Sequence, residues 1–348
     1  MHESPLRAWH DHRAVQWLPS GEPGHYLSAA AEYAALMNAA GLFDASYSRD
    51  RLLISGDDRI EFVQGLCSND MELLPVGESR EAAFVTPKGK LVADARLTKL
   101  DDALLVDAEG GRGAALEELL SKYRIHEKVE WSDASAELAA LELWGPKAAE
   151  ALGEEAMPDG HSKAVSLGEN TFLAVGTPFG CVVYVPASAA SEAADALVER
   201  LRSLGGLPVG REAIEARRIG LGLGRYGLDW DENTNPLEAG LDRALNYKKG
   251  CYVGQEVVAK ATYIGHVNRR LVRLSWEGSP LPSGTTLIGG RSPGRLTSSA
   301  LVPGTSRVVG LGVVRREAAT AGSLHQVGES GPEATVLGYP FGSGEKPV

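Results

Sequence analysis

The residues best suited to chemistry in this 348-residue chain lie in the stretch Lys248–Glu256, which reads KKGCYVGQE. Its thiol, Cys251, follows two lysines, and cations beside a cysteine favour the thiolate, which is the nucleophilic form. Gly250 and Gly254 allow the backbone to turn sharply or to approach a ligand closely. The composition fits two alternatives equally well: a functional loop, or a turn that leads from one domain into another.

A second candidate is Asp94, a single carboxylate in the largely apolar, strand-like run 90–97. A buried carboxylate is costly unless it is paired or hydrogen-bonded, and Arg96 shares the same strand face two residues later. One interpretation is therefore an Asp94–Arg96 pair that only stabilises the sheet. The other is an acid that hydrogen-bonds a ligand amine or acts as a general base.

Other motifs do not support a site. The run Gly222–Gly227 satisfies GxGxxG, but a helix-like segment precedes it and a polar loop follows. A dinucleotide site needs a strand before the glycines and a helix after them, so we predict none here. No residue spacing predicts a metal site. Cys67 and Cys181 fall in apolar surroundings, which is typical of small buried side chains.

Composition and charge narrow the classes of protein that fit. The net charge of −11 disfavours non-specific binding to nucleic acid or to an anionic membrane surface. Three widely spaced cysteines predict no disulfide framework and indicate a reducing compartment. Because we find neither a signal peptide nor an apolar run of membrane length, we expect a cytoplasmic protein without a membrane partner. Six cations nevertheless form a local basic stripe that suits an anionic small molecule, a local nucleic-acid contact or a solvated face: Lys248, Lys249, Lys260, Arg269, Arg270 and Arg273.

Both helices and strands are predicted to position these residues. Apolar periodicity predicts helices near 28–40, 112–123, 188–204 and 211–219, with Gly41 ending the first and residues 42–46 forming a connector. Strands are predicted near 51–56, 82–85, 90–100 and 103–106. Helices and strands do not alternate regularly, so we predict an α+β fold. After Arg269, short strands with frequent turns predict a small β domain, which could be a barrel.

Taken together, the motifs resemble those of a known family. Lys249–Glu256 resembles the signature of the YgfZ-type folate-binding proteins. These are relatives of the glycine cleavage T-protein (aminomethyltransferase) and take part in iron–sulfur cluster assembly or repair. The similarity covers roughly residues 30–275 and includes further runs in register: Gly41–Ser46, Gly65–Asp70, Lys88–Asp94, Tyr226–Asp229, Pro236–Leu241 and Gly265–Arg270.

This resemblance implies an aminomethyltransferase-like folate-binding fold. Residues 1–268 would form two intertwined α+β subdomains, one centred on about 45–130, and residues 269–348 a C-terminal β-barrel with a loose tail. The implied cofactor is tetrahydrofolate in a central cleft, and the implied partners are iron–sulfur client or assembly proteins. Cys251 and Asp94 would be the catalytic residues. The residues implied to contact the folate, three arginines for its glutamate tail among them, are Lys249, Gly250, Tyr252, Gly254, Gln255, Glu256, Arg217, Arg218 and Arg269.

Two departures from the family pattern bear on function. T-proteins hold the pterin with two acidic residues, and the best matching positions here are Val182 and Gly220. Each lost charge-assisted hydrogen bond weakens pterin binding by about 1.5–3 kcal/mol. We therefore expect a folate-binding accessory protein that acts through Cys251. Two alternatives stay open: a tetrahydrofolate-dependent aminomethyltransferase or demethylase with Asp94 as general base, and a folate-binding scaffold without catalysis.

Overall fold

The structure, a computed structural model, describes residues 3–13, 15–263 and 267–343. Gly265 and His266, at the start of the last matching run, lie outside the described residues. The chain forms two compact units, and each is assembled from separated segments. The first comprises Met1–Val63, Met71–Arg80 and Ala95–Ile214, and the second comprises Gln64–Asp70, Glu81–Asp94 and Glu215–Val348. The division at residue 268 stays a prediction.

The first elements along the chain are α1 (Arg7–Asp11), β1 (Gln16–Trp17), β2 (Pro23–His25), α2 (Ala29–Asn38) and β3 (Gly41–Asp44). Ser28 caps α2 by accepting a hydrogen bond from the Ala31 N–H. The predicted connector at 42–46 is wrong, because its first residues belong to the fully buried strand β3. Leu42 and Phe43 enter the cores on opposite faces of the sheet, so no polar alternation marks this strand.

A five-stranded sheet follows. Its strands and the helices between them are, in chain order, β4 (Arg49–Ser55), α3 (Arg59–Gln64), β5 (Ser79–Val85), β6 (Leu91–Lys99), β7 (Ala103–Glu109), α4 (Gly113–Tyr123) and β8 (Glu130–Asp133). The strand order in the sheet is β5-β6-β7-β4-β8. The Lys88–Gly89 turn between β5 and β6 forms as predicted, with Gly89 at a φ of +66°. β6, the strand that carries Asp94, passes from the second unit into the first after that residue.

The remaining elements of the first unit are β9 (Leu138–Trp144), α5 (Ala148–Ala151), β10 (Ser162–Leu167), β11 (Asn170–Thr177), β12 (Gly180–Pro186), α6 (Ala190–Leu204) and β13 (Leu207–Pro208). Together with β3, these strands form a six-stranded sheet with order β10-β11-β12-β9-β3-β13. Helix α6 buries Ala193, Leu197 and Leu201, which are spaced four residues apart, in the same apolar cluster as strand residues such as Leu141. The chain then enters α7 (Arg211–Leu221), which runs into the second unit.

The second unit ends in a closed barrel, which confirms the predicted C-terminal barrel. Helix α8 (Gln255–Tyr263) precedes the barrel strands β14 (Arg269–Glu277), β15 (Thr286–Ile288), β16 (Gly294–Leu301), β17 (Arg307–Arg315), β18 (Leu324–Val327) and β19 (Glu333–Gly338). Their order around the barrel is β14-β17-β16-β15-β18-β19. Val272, Leu274 and Trp276 alternate into its core. On the neighbouring strand β17, position 310 must be glycine, because a Cβ there would lie 2.7 Å from the Trp276 ring. Among the described helices, none has the length and apolarity needed to cross a membrane.

Candidate functional site

Residues Asn246–Gly254, which we call the thiol loop, are fixed against the chain that follows α3. The Asn246 N–H donates to the Ser68 carbonyl at 2.9 Å, and the Val253 N–H donates to the Gly65 carbonyl at 3.1 Å. The Ser68 hydroxyl in turn donates to the carbonyl of Ala244, just before the loop. Both ends of the thiol loop are therefore bonded to one short segment of the second unit.

Lys249 is the buried centre of this loop, with a relative exposure of 7%. Its Nζ donates to the carbonyl oxygens of Gln64 and Cys67, each at 2.6 Å, and lies 5.1 Å from the centre of the Tyr252 ring. Gln64 is the last residue of α3, and carbonyls at a helix C-terminus carry partial negative charge that attracts a cation. The Lys249 ammonium thus binds the protein itself and sets the position of its neighbours.

Tyr252 and Gly254 complete the inner side of the loop. Tyr252 packs at the edge of an apolar cluster with Leu91, and burial raises the pKa of its phenol above the ordinary value. Gly254 has a φ of +80°, and a Cβ there would lie 2.4 Å from the Thr86 carbonyl oxygen. This glycine therefore provides both the turn and the close approach to the β5–β6 connection.

Cys251, by contrast, points outward. It is exposed, and a side chain built on the adjacent Gly250 would meet no atom within 4 Å. Cys67 and Cys181 are buried, as predicted, and burial raises the pKa of Cys67 and raises that of Cys181 to about 12. The thiol loop therefore presents the accessible cysteine of this chain, beside open space.

Helix α8 begins directly after the loop with two of the predicted contact residues. The Gln255 amide lies 3.5 Å from the Gly250 carbonyl oxygen, so it folds back toward the loop. Glu256 is exposed and accepts a hydrogen bond from Lys260, one helical turn later, which lowers the pKa of its carboxyl. This pair leaves Glu256 at the surface of the helix.

Asp94 lies half-buried on β6 in the second unit. Its strand neighbours Ala93 and Ala95 are buried and occupy the opposite face, as the strand period requires. Arg96, the partner considered from the sequence, donates to the Ser79 hydroxyl at 3.2 Å and to Asp159 at 3.3 Å. The guanidinium of Arg96 is therefore engaged by residues that sequence reasoning did not connect with it.

The three predicted arginines occupy different settings. Arg218, on α7, is buried and donates to Asp229 at 2.9 Å, to both oxygens of Glu215 and to the Ser298 hydroxyl. Burial lowers the pKa of its guanidinium, but the Glu215 and Asp229 carboxylates outweigh this and raise it. Arg217 is half-buried on the same helix, and Arg269 is exposed at the start of β14.

The basic stripe does not form one continuous surface, because internal hydrogen bonds occupy half of its members. Lys249 is buried, Arg270 donates to the Leu237 carbonyl, and Arg273 donates to the Tyr339 carbonyl. Exposed cations of the stripe are Lys248, Lys260 and Arg269.

The sequence matches proteins of one family over most of its length. The family model described as the GCVT N-terminal domain matches residues 8–249. The chain belongs to the GCVT family. It is 29% identical to the aminomethyltransferase of Thermotoga maritima over 340 residues, which cover 92% of this chain and 91% of that protein. It is 30% identical to the aminomethyltransferase of Symbiobacterium thermophilum over 337 residues, which cover 89% and 88%.

The fold is also that of a solved GCVT structure. Aminomethyltransferase T of the glycine cleavage system from Bartonella henselae superposes with a TM-score of 0.83 at 22% identity, and 97% of each chain is covered. This confirms the predicted α+β fold with its C-terminal barrel. The relatives are aminomethyltransferases by name, and the coarser family assignment made from the motifs is confirmed.

Within this GCVT fold, the two positions compared with pterin-binding acids carry no carboxylate. Val182, on β12, is buried in an apolar cluster and pairs across the sheet with Glu142 on β9. Gly220 lies near the end of α7, and its carbonyl accepts a hydrogen bond from Arg273 at 3.2 Å. An important group that sequence reasoning missed is Asp229, which accepts hydrogen bonds from Thr297 and Ser298 as well as Arg218. The sequence offered one signal for Asp229, its place in the family-like run Tyr226–Asp229.

Proposed function

We propose that this protein is a tetrahydrofolate-dependent one-carbon transferase of the aminomethyltransferase type. The observation that carries the proposal is similarity to proteins named aminomethyltransferase over about nine-tenths of the chain. Asp94 lies on β6, in the run Lys88–Asp94 that resembles the T-protein strand with the catalytic aspartate. Substrates would be a reduced folate and a donor of an aminomethyl or methyl group.

Asp94 would act as the general base. When a folate amine forms a bond to the incoming carbon it must lose its proton, and a carboxylate within hydrogen-bond reach can accept that proton. A half-buried carboxylate on a regular strand suits this role, since the strand fixes its direction and partial burial limits competition from water. The donor atom that carried the one-carbon group leaves with the electrons of the broken bond and takes up a proton.

The remaining residues predicted to contact folate differ in whether their side chains already bind other groups of the protein. Arg217 and Arg269 are the arginines we propose for the folate glutamate tail, because Arg218 already satisfies Glu215 and Asp229. The thiol loop would shape the site through Gly250, Tyr252, Gly254, Gln255 and Glu256, with Lys249 as its internal anchor. Val182 and Gly220 supply no pterin acid, so we expect looser recognition of the pterin edge than in a site with both acids.

Two measurements test this proposal. Titration with tetrahydrofolate, followed by fluorescence of the six tryptophans, should show saturable binding. Transfer of an aminomethyl group from a lipoyl carrier, or of a methyl group from a small amine, should then form the one-carbon folate. Asp94→Asn should lower the rate at least a hundredfold while leaving folate affinity nearly unchanged. Asp102→Asn, at an exposed position in the following turn, is the matched control. Equal rates in the two variants would remove Asp94 from the mechanism.

The exposed thiol favours a second candidate: a folate-binding accessory protein for iron–sulfur cluster assembly or repair. The thiol loop holds Lys249 inside and Cys251 outside, an arrangement that suits transient contact with a client protein or cluster. Replacement of Cys251 by serine should then abolish rescue of cluster-enzyme activity in a deletion host. Full rescue by Cys251→Ser would show that the thiol is not needed for cluster assembly or repair. Indifference to changes at both Asp94 and Cys251, with folate binding intact, would leave a scaffold.

A further inference from the structure

The second unit contains a cavity of about 650 Å³ whose wall is formed partly by the outer face of the barrel. Four cations line it: Lys90, Arg269, Arg295 and Arg315. The next residues along the strands, Leu296 after Arg295 and Val314 before Arg315, belong to the barrel core. Because side chains alternate along a strand, these arginines point away from that core. We call this site the arginine cavity.

Strand register brings the three arginines together. Arg269 on β14 is the direct partner of Arg315 on β17, and Arg295 on β16 is the partner of Val313, two residues from Arg315 on the same face. Like charges directly opposite each other destabilise a sheet. In the parts of the chain that the structure describes, none of these arginines forms an ion pair with an acid. In these parts of the chain, no direct ion pair therefore offsets the repulsion.

Acidic residues also line the cavity, but local bonds engage them. Asp229 accepts from Arg218, and Asp231 accepts from the Asn233 N–H at 2.9 Å. The third acid, Glu238, accepts from the Asn235 N–H at 3.0 Å. These carboxylates hold the 229–238 loop in shape. A ligand drawn by charge would consequently bind on the arginine side.

We propose that the arginine cavity binds a small, multiply charged oxyanion, a phosphate ester or a di- or tricarboxylate. A guanidinium offers a planar pair of donors that matches both groups, and two opposed arginines can hold one such anion between them. The volume is within the range of small-molecule pockets. The bound anion would also neutralise the Arg269–Arg315 repulsion, so binding would remove an interaction that destabilises the free protein. The inference requires neither a pterin nor Asp94 and goes beyond the proposed function, with which it shares Arg269 alone; the variants that test it, at Arg315 and Arg295, lie outside the contacts proposed for folate.

Calorimetry on the full chain with pyrophosphate and citrate tests the proposal, with acetate at equal ionic strength as the reference. Both probes should bind with one saturable site, and acetate should not. The tighter probe identifies the source, since pyrophosphate mimics a phosphate ester and citrate a tricarboxylate. If neither binds more tightly than acetate, the proposal is overturned.

Two variants of β17 separate the cavity from general charge effects. Arg315→Gln should weaken the better probe at least tenfold, because it removes a charged hydrogen-bond donor from the site. Arg307→Gln removes the same charge from the same strand, opposite Glu277 and outside the cavity, and should bind normally. An equal loss in both variants would refute the site. If Arg315→Gln fails to fold, Arg295→Gln serves in its place.

Thermal unfolding gives an independent readout. Without ligand, Arg315→Gln should melt at a higher temperature than the parent chain, because one of two opposed charges is gone. The increase in Tm that the anion gives the parent chain should be lost in the same variant. A variant that keeps the anion-induced increase would contradict the proposal.

Discussion

Replacement of Lys249 by methionine tests whether the thiol loop depends on a buried cation. Methionine keeps an unbranched side chain of similar length but removes the ammonium that donates to the Gln64 and Cys67 carbonyls. Both acceptors lie in the same short segment of the second unit. The variant therefore removes the bonds at the centre of the loop and leaves the surrounding apolar contacts in place.

The expected loss of stability follows from those two bonds. A hydrogen bond from a charged donor contributes about 1.5–3 kcal/mol, and Lys249 is 7% exposed, so solvent replaces little of it. Removing the cation also recovers its own desolvation cost, which offsets part of the sum. We expect a decrease of about 3–5 kcal/mol in the free energy of unfolding, a large share of the 5–15 kcal/mol typical of folded proteins.

Urea unfolding followed by tryptophan fluorescence measures this change. Lys248→Met is the control, since Lys248 is the exposed neighbour and its loss should change stability by less than about 0.5 kcal/mol. The rate of Cys251 alkylation should also rise in Lys249→Met, because the loop loses its anchor. A Lys249→Met protein within 1 kcal/mol of the control, with unchanged alkylation, would refute the anchoring role.

Three further predictions follow from the same structure. Iodoacetamide should modify one thiol of the native protein, at Cys251, and all three after denaturation, as mass spectrometry would show; a second fast-reacting thiol would contradict the burial of the others. Gly254→Ala should destabilise the protein by about 1–3 kcal/mol in urea unfolding, because of its positive φ and its contact with Thr86; an unchanged midpoint would contradict this. Burial, opposed by Arg49, raises the pKa of Glu142, so the native state binds this proton more tightly than the unfolded chain and loses stability as pH rises above the ordinary carboxyl range. Glu142→Gln should therefore gain stability relative to the parent chain as the pH rises above the ordinary carboxyl range; a constant difference would contradict the shift.

The elements that could be predicted are those whose pattern is local. The alanine-rich run behind Ser28 forms α2, and the spacing of Leu197 and Leu201 anticipates α6. The short alternating strands after Arg269 form the barrel. The strand with Asp94 also forms where the sequence places it. In each case hydrophobic periodicity or a turn signal lies within about ten residues.

Features that depend on distant residues could not be predicted in this way. Strand β3 is buried on both faces, so Leu42 and Phe43 show no alternation, and its first residue, Gly41, resembles a helix end. The carbonyl partner of Lys249 at Gln64 is 185 residues away in the chain. A basic residue near a cysteine suggested an activated thiol, whereas the fold uses that lysine to hold the loop. Local composition therefore singled out the right stretch, but it assigned Lys249 to activation of the thiol instead of to anchoring of the loop.

Asp94 and Cys251 belong to the same compact unit, and a double variant can decide whether they serve one process. If Asp94 accepts a proton in a step that also needs the thiol, loss of either group should already abolish that step. The double variant Asp94→Asn with Cys251→Ser would then be no slower than the worse single variant, because residues that act as a unit are non-additive. If the two groups serve separate activities, their effects on the transfer rate should multiply or fall on different assays. Loss of transfer in Asp94→Asn alone, with full rescue of cluster enzymes, would mean that one fold carries a transferase site and an independent thiol function.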